Sequence, residues 1–317
     1  MNRYLIWLEW PEKCFRVDAE ALRYLRTLVP RDSVVTRVRS EGSFLRELPR
    51  ATHAIVWNFK PEWFDRATRL EVLATPAAGR ELVPEAGPRG ITTHYGHFHG
   101  PIMAETVAAF VLAWARGFFR MQELLRASGQ AASDWPRTWL SDKCYEVAGT
   151  RAVVVGYGNI GRAIGAKLRS LGVTVVGVAR HGIDIEGRLL KPTTRRIDAM
   201  LRKADWVVLA LPSTTGTDGW LGVKRLGLLS SRCVVINVGR GNAVDERALF
   251  LALKNRKIAG AYLDVRCHEP SATVLEAPGF VRELAQLPNC ILTPHASAFS
   301  PNYIRGCFKE LRDDGII

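Results

Sequence analysis

The chain has 317 residues and a mass of 35.3 kDa, enough for two ordinary domains around separate cores. Hydrophobic residues make up 47% and charged residues 24%, which excludes a disordered chain, a collagen-like repeat or a coiled coil. Lys+Arg 44 against Asp+Glu 31 leaves a net charge of +13. That excess favours acidic partners without choosing among nucleic acid, anionic lipid, phosphorylated cofactors and small organic acids, and a merely basic surface is the simplest reading.

The most apolar stretch, Thr106 to Ala115, is fenced by Glu105 and Arg116. It falls far short of the ~20 residues of a spanning helix, so no membrane partner is expected. After Arg3 the apolar run Tyr4–Leu8 stops at Glu9, too short for the core of a signal peptide. Cys14, Cys144, Cys233, Cys267, Cys290 and Cys307 are scattered without a CxxC pair. They read as reduced thiols in a reducing, cytoplasmic setting.

In chain order, the pattern predicts a strand at Tyr4–Trp10, a helix at Asp18–Leu28, a strand at Val34–Val38 and a short helix at Glu41–Leu48. Strands at Ala54–Asn58, Leu70–Ala74 and Ile91–His94 follow. A long helical pattern runs from about Pro101 to Ala127, with Glu105 expected in its first turn, and Ser128–Thr150 reads as a connector. Alternation restarts with a strand at Ala152–Val155, a helix at Ile160–Leu171 and a strand at Val173–Val178. Further strands are expected at Trp206–Ala210, Val234–Asn237 and Ala261–Val265, and a helical stretch at Pro301–Arg312. Uninterrupted apolar runs such as VVVG and VVIN suit strands buried on both faces. Two α/β domains follow, the second a doubly wound nucleotide-binding sheet.

Gly156-Tyr157-Gly158-Asn159-Ile160-Gly161 is G-x-G-x-x-G between a strand and a helix. Gly156 permits a tight turn, Gly158 lets backbone approach a pyrophosphate, and Gly161 allows close helix–strand packing. The helix start, through Asn159 and Ile160, offers N–H groups and a positive dipole end to phosphates. The second strand of such a unit ends in an acid when the cofactor is NAD. Here Arg180 stands 19 residues after Gly161, followed by His181, and the next carboxylate is Asp184. A guanidinium there pairs with a 2′-phosphate, so NADP is the expected cofactor, with NAD kept open.

Three further pieces sit at strand ends: Asn237-Val238-Gly239-Arg240-Gly241, Asp264 to Pro270, and Thr293-Pro294-His295. Ligands bind outside the carboxyl ends of strands in a doubly wound sheet, so an Arg, a Glu and a His can converge.

With these motifs the sequence resembles the D-isomer-specific 2-hydroxyacid dehydrogenases. The resemblance covers most of the chain, through GYGNIG, ALPSTTGT at 210–217, INVGRGNAVDERAL at 236–249, AGAYLDV…EP at 259–270 and LPNCILTPHAS at 287–297. The N-terminal half matches more loosely, through ATPAAGREL, RGITTHYG and MAETVAAFVLAWAR. It implies an α/β fold of two doubly wound parallel sheets, with a Rossmann-type cofactor domain (151–296) inserted in a flavodoxin-like substrate domain (1–100 plus 297–317). Residues 101–150 would be a linking helix and dimerisation connector, with Trp135 in the region through which the family forms homodimers.

The resemblance also assigns roles. His295 would be the general acid/base that gives a proton to the carbonyl oxygen as hydride arrives. Glu269 would hold that imidazole and favour its charged form. Arg240 would grip the substrate carboxylate as a planar fork. Asp264 would contact the nicotinamide carboxamide or help orient the site. Val238 and Gly239 would line the nicotinamide pocket, Pro212 and Thr217 match a cofactor-facing loop, and Ala78–Gly79 match a turn that donates N–H groups to the carboxylate. The formate dehydrogenases carry Gln where Glu269 stands, so Glu argues for a 2-hydroxy acid/2-keto acid pair. Together with Arg180, the chain looks most like the NADPH-linked glyoxylate/hydroxypyruvate reductases.

Two departures stand out. Arg80-Glu81 follows Ala78-Gly79, where the family has a small or apolar residue and Asp; Arg80 either favours a second anionic group on the substrate or is a surface residue. The chain ends at Ile317, where family members usually continue with a tail. His94, His97 and His99 invite a zinc reading, yet the matching family region is a loop without a metal, so no metal is expected. The alternative function is a dinucleotide sensor resembling the C-terminal-binding co-repressors. Nucleic-acid binding lacks a basic stripe or a known motif, and is not expected.

Overall fold

The structure, a computed structural model, describes residues 1–84, 90–122, 140–141, 143–185, 187–267 and 280–317. These form two compact units, Met1–His99 with Phe299–Ile317, and Gly100–Ala298. No helix among the described residues is long and apolar enough to cross a membrane.

The first unit is built on a five-stranded parallel sheet of β1 (Arg3–Trp7), β2 (Val34–Arg37), β3 (His53–Val56), β4 (Val72–Thr75) and β5 (Thr92–Tyr95), in the order β2-β1-β3-β4-β5. That is the flavodoxin-like order. Asp18 caps the helix Ala19–Leu28 by accepting from Ala21 N at 2.7 Å, and Ser40 caps Glu41–Glu47. One sheet face buries Leu5, Ala54, Val56 and Leu73 against Phe44, Leu48, Phe59 and Trp63. The last helix, Tyr303–Asp313, lies beside Ala19–Leu28 and buries Tyr303, Ile304, Cys307, Phe308, Glu310 and Leu311.

The second unit carries β6 (Arg151–Val155), β7 (Thr174–Ala179), β8 (Gly182–Ile185), β9 (Arg188–Leu190), β10 (Trp206–Leu209), β11 (Val234–Asn237), β12 (Gly260–Leu263) and β13 (Cys290–Leu292). Its order is β13-β12-β11-β10-β6-β7-β8-β9. All pairs from β13 through β7 are parallel. The strands alternate between two cores. Val153, Val155, Val207, Leu209 and Val235 enter one, while Ala152, Val154, Trp206, Val208, Val234 and Ile236 enter the other. A strand covered on both faces needs an apolar residue at every position, which is why these segments read as unbroken runs. Each fully buried Val, Leu or Ile contributes about 1.5–3 kcal/mol.

Two elements depart from the sequence expectation. The helical pattern from Pro101 to Ala127 forms a helix over Gly100–Ala115, is broken by a turn at residues 116–117 where Gly117 takes φ 72°, and resumes as helix over residues 118–122. Because the helix starts at Gly100, Glu105 falls beyond its first turn. At Gly100 the chain passes close to the helix that starts at Asn159: a Cβ there would lie 2.9 Å from Ala163 Cβ. Residues 123–139, with Trp135, lie outside the described residues. The second departure is the antiparallel pair β8 and β9, which extends the sheet beyond β7. Its GIDIEGRLL sequence was not predicted as strand.

All six cysteines are free. Burial pushes the Cys290 thiol from an ordinary 9.0 up to about 12, and raises Cys233 and Cys307 as well. A thiol with a raised folded-state pKa keeps its proton where the unfolded chain has lost it. Its stabilisation is complete below about pH 9 and is lost as pH climbs toward the folded value, at up to about 1.4 kcal/mol per pH unit for each thiol. Urea unfolding midpoints should therefore fall steadily from about pH 8.5 to about pH 10.5, and Cys290→Ala should flatten that slope. A midpoint independent of pH over this range would contradict the burial of these thiols.

Candidate active site

The glycine-rich turn joins β6 to the helix Asn159–Ser170. Gly156 has φ 89°, and a Cβ there would run into the Ala210 carbonyl. A Cβ at Gly161 would strike the Gly156 carbonyl. Gly158 differs: a Cβ would meet no protein atom within 4 Å. Two glycines thus serve the turn and its packing, while the third keeps a helix start bare beside the N–H groups of the first turn. Those N–H groups have no acceptor inside a helix. Tyr157, 4% exposed, points inward, where its ring fills the space beside Gly165 and Gly177 and its hydroxyl accepts from Arg169 Nη1 at 2.7 Å.

Gly156 N and Tyr157 N both donate to Val178 O, at 2.9 and 3.1 Å. The end of β7 is therefore tied to the glycine turn. Ala179 pairs with Gly182, so Arg180 and His181 are the two exposed residues of the tight turn into β8. Asp184 lies across from Gly177 and accepts from Gly187 N at 2.8 Å, which commits it to the turn between β8 and β9. The end of β7 thus carries a guanidinium and an imidazole in place of a carboxylate.

The loop after β11 is shaped by Asn237, 1% exposed. Its side chain accepts from Gly239 N at 3.1 Å and donates to Arg240 O at 2.9 Å. Glycines flank Arg240 for steric reasons. A Cβ at Gly239 would lie 2.6 Å from Leu211 N, and one at Gly241 would collide with the Arg266 carbonyl. Arg240 is half-buried, with Nη1 donating to Gly239 O at 3.0 Å. The preceding loop is braced from the same place. Asn242 donates to Ser213 Oγ at 2.8 Å and to Asp218, and Thr217 Oγ1 donates to Pro212 O at 2.7 Å. Pro212 is exposed and Thr217 half-buried. The bracing roles of Asn237 and Asn242 were not expected from the sequence. An Asn closing an apolar strand just before V-G-R-G was the available signal for the first.

Asp264 is 1% exposed. Its Oδ1 accepts from Thr293 Oγ1 at 2.6 Å and Ala296 N at 2.8 Å, and its Oδ2 from Ser297 N at 3.0 Å. The backbone adds Asp264 N to Asn237 O and His295 N to Asp264 O, both 2.9 Å. Both carboxylate oxygens are thus spent on the segment that carries His295. His295 is exposed and holds φ 54°, a left-handed conformation that costs a non-glycine residue of order 1–3 kcal/mol. Nearby, burial lifts Tyr262 to about 12, and burial with the Glu246 carboxylate lifts Cys267 to about 12, so both stay protonated at neutral pH. Glu269 lies outside the described residues. Val238 is buried beside Arg240. Ala78 and Gly79 belong to the other unit, in the loop after β4, where Arg80 packs its guanidinium 5.4 Å from the Tyr95 ring centroid.

The family model "D-isomer specific 2-hydroxyacid dehydrogenase, NAD binding domain" matches residues 108–297. The chain belongs to the D-isomer-specific 2-hydroxyacid dehydrogenase family. It is an oxidoreductase with a Rossmann-type NAD-binding domain. A glyoxylate reductase of Thermococcus kodakarensis is 30% identical over 84% of this chain and 77% of its own length. D-3-phosphoglycerate dehydrogenase 2 of Saccharomyces cerevisiae is 35% identical over 89% of this chain and 59% of its own length. The NAD-complexed crystal structure of a D-isomer specific 2-hydroxyacid dehydrogenase from Lactobacillus delbrueckii ssp. bulgaricus has the same fold. Its TM-score is 0.79 at 18% identity, covering 99% of this chain and 96% of that one.

Asp264→Asn replaces one acceptor oxygen by an amide that faces N–H and O–H donors. It should lower stability by about 1–3 kcal/mol in urea unfolding and speed hydrogen exchange at the Ala296 and Ser297 amides. Unchanged exchange at those two amides would contradict the tethering role.

Proposed function

We propose that this dehydrogenase is an NADPH-preferring reductase of small 2-keto acids, of which glyoxylate and hydroxypyruvate are the leading candidates. The observation that carries the cofactor preference is the end of β7, where Arg180 and His181 occupy the turn and Asp184 is engaged elsewhere. A guanidinium at that place attracts a 2′-phosphate and offers a ribose 2′-hydroxyl no acceptor. The fit to a dinucleotide rests on Gly158, whose bare Cα leaves room for a pyrophosphate at the helix start formed by Asn159 and Ile160. When bound, the nicotinamide supplies the hydride. Gly156 and Gly161 shape the turn, and Pro212, Thr217, Val238 and Gly239 line the cofactor's path in this reading.

The protein's own groups handle charge and protons. Arg240 pairs its guanidinium with the substrate carboxylate and draws electron density from the adjacent carbonyl. Ala78 and Gly79 are assigned as N–H donors to a carboxylate. His295, as an imidazolium, gives its proton to the carbonyl oxygen as the carbon is reduced, and Glu269 is assigned to hold that ring. Asp264 acts on the segment bearing His295, consistent with the orienting one of its two expected roles. The glyoxylate reductase name of the Thermococcus relative supports a short keto acid. The yeast relative keeps a phosphorylated keto acid in the comparison, since Arg80 would suit a second anionic group. A homodimer in a reducing cytoplasm completes the proposal, supported by the prevalence of two-fold dimers and the six free cysteines.

The test is NADPH and NADH oxidation with glyoxylate, hydroxypyruvate, pyruvate, a bulkier 2-keto acid and a phosphorylated one. NADPH should give the higher kcat/KM, and Arg180→Ala should cut the NADPH-to-NADH ratio by about 10- to 100-fold, the worth of one charge-assisted contact. His295→Ala should lower kcat by about 10²- to 10⁴-fold while cofactor binding persists. Equal use of both cofactors by the wild type would refute the NADP preference. Turnover confined to the phosphorylated acid would refute the small-acid reading.

A further inference from the structure

The histidine cluster of the first unit looks different once the last helix is in place. His94 ends in β5, and His97 follows in the turn after it. More than two hundred residues later, Glu310 and Asp314 come from the last helix and its end. The four side chains meet. His94 Nε2 lies 3.1 Å from Glu310 Oε1 and 3.8 Å from Asp314 Oδ2. His97 Nδ1 lies 2.7 Å from Glu310 Oε2, and its Nε2 lies 2.8 Å from Asp314 Oδ2. One donor atom from each residue falls within 4.8 Å of all the others. His99, the third histidine of the sequence cluster, is not part of it; its Nε2 is 2.7 Å from the Tyr303 hydroxyl, on the buried side of the helix.

We propose that His94, His97, Glu310 and Asp314 form a structural site for one divalent transition-metal ion, with zinc as the fitting case. The donor set is two imidazoles and two carboxylates, which suits zinc chemically. The size fits as well. Four bonds of about 2.0–2.2 Å in a tetrahedron put donors about 3.4 Å apart. His97 can give only one of its two ring nitrogens, and with one donor per residue the set spans up to 4.8 Å, so the widest pairs would close by about an ångström through side-chain rotation while the shortest open by a few tenths.

Charge and support point the same way. The basic neighbours on the last helix are committed elsewhere: Arg305 to Glu20 at 2.7 Å, Lys309 to Asp313 at 2.5 Å and Arg312 to Leu28 O at 3.0 Å. Glu310 and Asp314 therefore face the two imidazoles, and a divalent cation would balance the two carboxylates. Glu310 is only 6% exposed, and His97 N donates to both its oxygens at 3.0 and 2.9 Å. That is the backing which orients a ligating carboxylate. His97 and Asp314 remain partly open to solvent, so an ion has a way in. The consequence is a clip. The ion would cross-link the end of β5 to the last helix, joining two segments far apart in sequence within one sheet unit.

The experiment uses the full chain, stripped with a chelator, dialysed and titrated with zinc chloride by calorimetry. One ion per chain should bind, and zinc should raise the Tm. His97→Asn and Asp314→Asn, both at partly exposed positions, should weaken binding by at least about tenfold and remove the Tm gain. Cobalt substituted for zinc should give visible d–d bands of tetrahedral intensity in the wild type, lost in both variants. No uptake by the wild type, or uptake undiminished in both variants, would overturn the proposal. If either variant fails to fold, the cobalt spectrum and stoichiometry of the wild type decide: bands of an octahedral, water-rich ion, or a stoichiometry other than one, would overturn it.

Discussion

The carboxylate of Asp264 holds together three strand ends of the second unit. It sits just after β12, buried from water, and its two oxygens accept three hydrogen bonds from Thr293, Ala296 and Ser297. Its own backbone links Asn237 at the end of β11 to His295 after β13. A buried carboxylate is tolerable only when its lone pairs are satisfied, so this residue demands the exact course of the segment around it. That demand fits the left-handed His295, a conformation that costs most non-glycine residues energy and that the surrounding hydrogen bonds hold in place. The arrangement spends local strain to fix the direction of one exposed imidazole.

Glycine performs the complementary task on the other strands. Gly156, Gly161, Gly239 and Gly241 stand where backbone passes so close to backbone that a methyl group would collide. These contacts bring the ends of β6, β10, β11 and β12 together, and the residues between the glycines inherit their positions. Arg240 is fixed this way, with Asn237 and Asn242 supplying the polar bracing. Within the G-x-G-x-x-G turn, Gly158 is the glycine that a Cβ would not crowd, and the proposed pyrophosphate site uses that space. The strand end that carries Arg180 is fastened to this turn through Val178. The positions proposed for phosphate recognition and for cofactor discrimination are thus mechanically adjacent.

In the first unit the organising element is the last helix. Its apolar side supplies Ile304, Phe308 and Leu311 to the core, yet it also buries a glutamate. Glu310 is paid for by the histidines after β5, and the His94–His97–Glu310–Asp314 group gives that helix a polar anchor beside its apolar one. That anchor belongs to tertiary structure, since its members come from segments more than two hundred residues apart.

Much was legible in the sequence because much of it is local. Strand positions followed from runs apolar at every residue, the glycine turn from its spacing, and the placement of Arg240 and His295 just after strands from the motifs that carry them. Arg180 was legible because its distance from Gly161 is set by one βα unit. What escaped depends on contacts between distant segments. The β8–β9 hairpin has no apolar run of its own and exists by pairing with the edge of β7. The long helical pattern is broken at residues 116–117, before helix resumes over 118–122, because Gly117 takes a left-handed conformation that its neighbours' helical pattern does not announce. The hydrogen bonds of Asn237, Asn242 and Asp264 reach across loops whose approach no spacing rule encodes. The sequence by itself determined the fold class, the dinucleotide turn and the chemical types at the strand ends, since these rest on periodicity and short-range sterics. Only the tertiary structure decided which carboxylates meet which histidines, because Glu310 and Asp314 reach His94 and His97 solely through the packing of the last helix against the first sheet.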